Sequence, residues 1–135
     1  MSLSITPLYA GVLGLLFAGL SFRVINARRT FRITLGDGGN RLLTRRLRVQ
    51  GNFAEYVPLV VVLMALAELQ GAPVWGLHGV GVVLLAGRSV HAYGVSQEPE
   101  TIAVRIFGMV LTMTALITAS LANIGLAART VFGAA

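Results

Sequence analysis

The sequence predicts an all-α integral membrane protein, a bundle of four helices that forms one domain over residues 1–135. Hydrophobic residues make up 56% of the chain and charged residues 12%, against about 25% in an average soluble domain. The mean hydropathy is +0.79. These values exclude a soluble enzyme and a disordered chain, because too little polar surface is present to cover a water-soluble domain.

Four apolar segments have the length of membrane-spanning helices, which need about 20 residues. Residues 1–22, 69–87 and 106–128 hold no charged residue, and residues 49–67 hold only Glu55. We therefore expect spans at about 4–28, 46–70, 73–95 and 101–127.

Turn-forming residues separate these spans. The run Gly36-Asp37-Gly38-Gly39-Asn40 is typical of a turn, since glycine readily adopts positive φ. We expect the first helix to end at about Arg32 and the second to begin near Leu42. Pro73 favours the start of the third helix, and residues 96–99 favour a break before the fourth.

The basic residues, all of them arginine, predict the orientation. Most lie between Arg23 and Arg48, and Arg88 and Arg105 border the connection between helices three and four. The connection between helices two and three has none. Because positive residues stay cytoplasmic, we expect the 1–2 and 3–4 connections in the cytoplasm and both termini outside it. The compact, lysine-free chain favours a bacterial inner membrane protein.

Part of the basic cluster is expected to contact anionic lipid head groups rather than a substrate. These residues are Arg23, Arg41, Arg45 and Arg46. Nucleic-acid binding is not expected, because the cluster lies at a bilayer surface and lacks interleaved aromatic residues. A metal site is not expected either, since the chain has no cysteine and its two histidines are isolated.

A polar constellation lies on the second helix. Arg48, Asn52, Glu55 and Tyr56 stand at i, i+4, i+7 and i+8, within an arc of about 100° on one helix face. A carboxylate one or two turns below the membrane surface usually faces the bundle interior or a polar cavity. Glu55 could instead form a structural ion pair with Arg48 or another arginine, but four polar residues at one level favour a pocket.

Two segments resemble the MAPEG family, the membrane-associated proteins in eicosanoid and glutathione metabolism. Residues 27–32, Ala-Arg-Arg-Thr-Phe-Arg, end the first helix. Residues 48–56 fit the family pattern Arg-x-Gln-x-Asn-x-x-Glu-Tyr on helix two. The pattern is similar to that of microsomal glutathione transferases and leukotriene C synthases, and four spans at matching spacing extend the resemblance over nearly the whole chain.

The resemblance implies a homotrimer with glutathione, as co-substrate, bound between subunits near the cytoplasmic surface. It implies a glutathione transferase or peroxidase that acts on lipophilic electrophiles from the membrane. In the family, the residue matching Arg48 holds a glutathione carboxylate, and Gln50 would reach the peptide from the adjacent subunit. Further binding positions match Arg28, Asn52, Glu55 and Tyr56.

The third helix carries further positions that the resemblance marks as part of the glutathione site. Arg88 fits the family's arginine late in that helix. The two tyrosine positions hold His91 and Val95, with Tyr93 between them. We expect His91 to be hydrogen-bonded to backbone or water at the membrane surface rather than to act as a general base.

Two arginines are candidates for stabilising a glutathione thiolate. The position matching Arg29 is linked to thiol chemistry in the family. The family's thiol-activating arginine on helix four falls on Ile102 here, and Arg105 is the nearest arginine, one turn later. The choice between Arg29 and Arg105 stays open at this point.

Two other functions fit parts of the sequence. A non-enzymatic membrane scaffold would keep the same fold and lack the chemistry. A small transporter would use Glu55 as its coupling carboxylate. Small four-span exporters place that carboxylate in span one, where this chain has none, which disfavours transport.

Overall fold

The computed structural model describes residues 3–133, which form four α-helices and contain no strand. The predicted all-α architecture is therefore confirmed. The helices are α1 (Ile5–Phe31), α2 (Arg41–Leu69), α3 (Val74–Ser96) and α4 (Ile102–Phe132).

Three of these helices, α1, α2 and α4, are long and apolar enough to cross a membrane. The third predicted span falls outside that set among the described residues. Its 23 residues extend about 34 Å, enough for a hydrocarbon core of about 30 Å. Composition, and not length, places α3 outside the set of strongly apolar helices, because α3 carries Arg88, His78 and His91 among its apolar residues.

The helices pack with α2 in contact with the other three, while α1 and α4 do not touch. The larger core cluster joins Leu13 of α1, Val60 and Met64 of α2, and Leu84 of α3, each at most 1% exposed. A smaller cluster of Val24, Ala27 and Leu43 lies near the α1–α2 turn. The face of α2 toward the bundle is therefore fixed along its whole length.

The α1–α2 connection is a structured turn. Gly36, Gly38 and Gly39 have φ of 65°, 58° and 72°, which confirms the predicted need for glycine. The Asp37 carboxylate accepts from the Gly39 N–H (3.0 Å) and the Thr44 hydroxyl (2.8 Å). The Gly39 N–H above all lowers the pKa of Asp37 below its usual value.

The N-terminus of α1 is capped by a residue from α2 that the sequence analysis missed. The Glu68 carboxylate accepts from the backbone N–H groups of Ser4 (2.7 Å), Ile5 (2.8 Å) and Thr6 (2.7 Å). Ser4, at the N-cap position, makes no side-chain cap of its own. A buried carboxylate thus satisfies the free N–H groups of a helix that begins next to the membrane.

Candidate functional site

A polar cavity of about 270 Å³ lies at the arginine-rich end of the bundle, between α2, α3 and α4. It is formed by the first three turns of α2, the last turns of α3 and the start of α4. Its lining residues are Arg41, Thr44, Arg45, Arg48, Asn52, His91, Val95, Glu100 and Arg105.

One face of α2 supplies most of the polar wall. Arg41, Arg45, Arg48 and Asn52 recur at helical spacing and all line the cavity. Arg41 and Arg45 are therefore cavity residues, and their expected contact with lipid head groups stays a prediction. Arg45 donates to the Val95 (3.3 Å) and Gln97 (3.1 Å) carbonyls at the end of α3. Its charge thus lies at the negative end of that helix.

Glu100 contributes the one carboxylate among the lining residues. It lies 3.8 Å from Arg45 and 2.9 Å from Arg105. The ion pair between Glu100 and Arg105 holds Arg105 at the cavity. Arg105 lies one turn after Ile102, the residue at the family's arginine position, and Ile102 is 63% exposed. Four arginines face a single glutamate, so the cavity is positively charged and suits a small anion.

Arg88 lies beneath this cavity with its side chain 0% exposed. Its guanidinium donates to Asn52 Oδ1 (2.8 Å), His91 Nδ1 (3.2 Å) and Thr112 Oγ1 (3.3 Å). It also lies 5.6 Å from the centre of the Phe53 ring, within range of a cation–π contact. The expected backbone partner is thus not found among residues 3–133, where His91 Nδ1 bonds to the Arg88 guanidinium.

Close packing of α3 on α4 holds these residues in place. A Cβ atom on Gly108 would collide with the backbone nitrogen of His91. A Cβ on Gly94 would lie 2.7 Å from the backbone nitrogen of Arg105, and one on Gly87 would lie 2.9 Å from that of Thr112. Only glycine allows the approach that brings His91 and Arg105 to the same cavity.

Several predicted site residues lie elsewhere in the single chain. Gln50 donates to Ser21 Oγ (2.9 Å) on α1, and Tyr93 is 62% exposed on α3. Arg28 donates to the Ile33 (3.4 Å) and Gly36 (3.0 Å) carbonyls of the α1–α2 turn. Arg29 is exposed in the last turn of α1, outside the cavity.

Glu55 and Tyr56 follow the cavity residues along α2 but do not line the cavity. Glu55 is exposed, and Tyr56 is half-buried. Among residues 3–133, Glu55 forms no ion pair, so the alternative of a structural pair with Arg48 is not realised within the chain.

Val95 lines the cavity at the second family tyrosine position, whereas Thr44 and Glu100 are cavity residues that were not predicted from the sequence. The signal for Thr44 was available, since it lies one turn before Arg48 on the same helix. Glu100 could not be placed, because its position depends on the path of the connection after α3, which spacing alone does not fix.

The family model described as MAPEG matches residues 6–125, nearly the whole chain. The chain belongs to the MAPEG family. Two curated relatives, each named "Inner membrane protein YecN" and each from a strain of Escherichia coli, are 40% identical to it over 120 residues. The match covers 89% of this chain and 90% of each relative. As a MAPEG protein with three apolar helices, it is an integral membrane protein built as a helical bundle.

Proposed function

We propose that this MAPEG protein binds glutathione and acts as a glutathione transferase or peroxidase on lipophilic substrates, as a homotrimer. The observation that carries the proposal is the cavity that unites Arg48, Asn52, His91 and Arg105. Glutathione has two carboxylates, one ammonium group and one thiol. Arginine forks bind carboxylates in a bidentate manner, and Glu100 offers a counter-charge to the ammonium group.

The single chain supports a site shared between subunits. The cavity of about 270 Å³ is slightly smaller than the roughly 300–1,000 Å³ typical of ligand pockets, so a second wall would complete it. Glu55 is exposed four turns along a membrane helix, where an uncompensated carboxylate is costly. A neighbouring subunit that covers this face of α2 would bury Glu55 and Tyr56 against polar groups.

Of the two candidates for stabilising the glutathione thiolate, Arg105 is better supported than Arg29, because Arg105 lines the cavity. A free thiol titrates at about 8.5, and a guanidinium beside the sulfur favours the nucleophilic thiolate. In conjugation, the sulfur lone pair forms a C–S bond with the electrophile, and the leaving group departs or the adduct takes up a proton. In peroxide reduction, the thiolate attacks one peroxide oxygen, the O–O bond breaks, and the alkoxide leaves and takes up a proton to become an alcohol. The sulfenic acid formed on the first glutathione then reacts with the thiol of a second glutathione, which gives the disulfide and releases water.

The proposed location is a bacterial inner membrane, as the names of the relatives indicate for those proteins. The cavity then faces the cytoplasm, since it lies at the arginine-rich end. Lipophilic substrates would enter from the bilayer, while glutathione would enter from the aqueous side.

Thermal unfolding with millimolar glutathione tests binding. A ligand at 100 times its dissociation constant adds about 2.7 kcal/mol to stability, so we expect a clear rise in the Tm of the purified protein. Arg48→Ala should abolish the rise, because it removes a cavity guanidinium. Arg129→Ala removes an exposed arginine at the opposite end of α4 and should leave the rise unchanged. Intact trimers without any shift would contradict the proposal and favour the scaffold.

Conjugation rates with a model aryl halide test the thiolate assignment. Arg105→Ala should lower the rate and the ultraviolet absorbance of bound thiolate at neutral pH, because the cation lining the cavity is lost. Arg29→Ala removes an arginine outside the cavity and should change both by less. The reverse order would assign the thiol to Arg29.

A further inference from the structure

Arg88 is an unusual buried cation, because no carboxylate among residues 3–133 forms an ion pair with it. The three ion pairs among the described residues involve Arg41, Arg45 and Arg105, not Arg88. Its hydrogen-bond partners are an amide, an imidazole and a hydroxyl. A guanidinium carries five N–H donors and no acceptor, so each of these partners must present a lone pair to it.

This requirement fixes the orientation of two side chains at the floor of the cavity. His91 accepts at Nδ1, so the proton of its neutral ring is on Nε2. Asn52 accepts at Oδ1, so its free end is the Nδ2 amide.

The two remaining nitrogens belong to side chains that line the cavity. His91 Nε2 and Asn52 Nδ2 have no hydrogen-bond partner among residues 3–133. Neither nitrogen is fully buried. The fully buried side-chain atoms without a partner are Thr6 Oγ1, Arg46 Nε and Arg88 Nε. Because both side chains line the cavity and neither nitrogen is fully buried, a ligand in the cavity is the partner available to these N–H groups.

We infer that Arg88 is a positioning residue that turns Asn52 and His91 into hydrogen-bond donors, so that the floor of the cavity accepts only a group with free lone pairs. A carboxylate or a thiolate fits there, and an ammonium group does not. His91 then donates to the ligand and does not act as a general base. The identity of the ligand as glutathione rests on the proposed function, whereas the state of His91 does not.

Nitrogen-15 NMR of histidine-labelled protein without ligand tests the first half of this inference. The chain has two histidines, so the spectrum of His91→Asn assigns the signals. We expect the shift pattern of a neutral ring protonated at Nε2. An imidazolium or an Nδ1–H ring at neutral pH would overturn the inference.

Two substitutions at His91 distinguish the role of Nδ1 from the role of Nε2. Asparagine places an oxygen where Nδ1 lies, so His91→Asn keeps the acceptor for Arg88 and should keep the wild-type Tm. It loses the donor at Nε2, and we expect glutathione to bind about tenfold or more weakly. Glutamine reaches the position of Nε2, so His91→Gln should keep binding within about threefold and lose stability instead. Unchanged binding in His91→Asn would overturn the inference.

Ligand analogues identify the group on the floor. If S-methylglutathione shifts the Nε2 signal of His91 as glutathione does, a carboxylate lies on the floor of the cavity. If glutathione shifts the signal and S-methylglutathione does not, the thiolate lies there. A shift with a monoamine lacking any anionic group would overturn the inference. A wild type that does not bind glutathione overturns the proposed function, and the ligand-free spectrum then decides the assignment of His91 alone.

Discussion

Glu68 shows how much one side chain contributes to this fold. Its carboxylate accepts from three consecutive backbone N–H groups and from the Ser4 hydroxyl (3.2 Å). Those N–H groups have no intrahelical partner, and an acceptor from a neighbouring helix satisfies them at the point where α1 begins. A single carboxylate from α2 therefore determines where α1 begins.

Glu68→Gln should destabilise the protein by about 1–3 kcal/mol, because the amide has one acceptor oxygen and no charge. Urea unfolding in detergent measures the loss, and amide exchange should rise at residues 4–6. Glu98→Gln is the matched control, since Glu98 forms only an exposed ion pair with Arg41 at 4.0 Å and should cost about 0–1 kcal/mol. Equal losses in the two variants would contradict the capping role.

At the scale of the helices, the α3–α4 contact holds the cavity together. Gly108 allows the backbone of α4 to lie against that of α3 at His91, and Gly87 and Gly94 extend the contact in both directions. Sequence spacing indicates small residues on α4, but it does not show that they position His91 and Arg105.

Gly108→Ala should destabilise the protein by about 1–3 kcal/mol and abolish stabilisation by glutathione, because its Cβ would collide with backbone and separate the helices. Gly125→Ala on the same helix has open space around its Cβ and should be neutral or slightly stabilising. Thermal unfolding of both variants, with and without glutathione, makes the comparison. Indistinguishable variants would contradict the close approach.

The helices could be predicted from the sequence more fully than the site. Long uncharged runs and the glycine turn at residues 36–40 determine the four helices, because burial and backbone freedom act locally. Arg48 and Asn52 could be placed together for the same reason, since they share one face of α2. Arg45 and Glu100 could not, because their partners lie on other elements and depend on how the helices pack.

At the scale of the whole molecule, the arginine distribution predicts a fixed orientation in the membrane. The absence of cysteine in the wild-type chain allows a clean labelling test. Thr34 lies in the α1–α2 turn and Thr130 in the last turn of α4, and both are exposed.

With a membrane-impermeant maleimide on intact cells, Thr130→Cys should be labelled and Thr34→Cys should not, because the predicted orientation puts only Thr130 on the side away from the cytoplasm. Both should be labelled after the cells are lysed, which controls for accessibility. The opposite pattern would place the cavity outside the cytoplasm and remove it from the cellular glutathione pool.

The contact of Glu68 with the start of α1 also bears on biogenesis. The start of α1 emerges from the ribosome well before residue 68 does, so the first N–H groups of α1 lack their acceptor until residue 68 arrives. The α1–α2 turn already joins the two helices at the other end. We therefore expect the first half of the chain to become stable in the bilayer as a helical hairpin, once α2 has crossed and Glu68 has reached the start of α1.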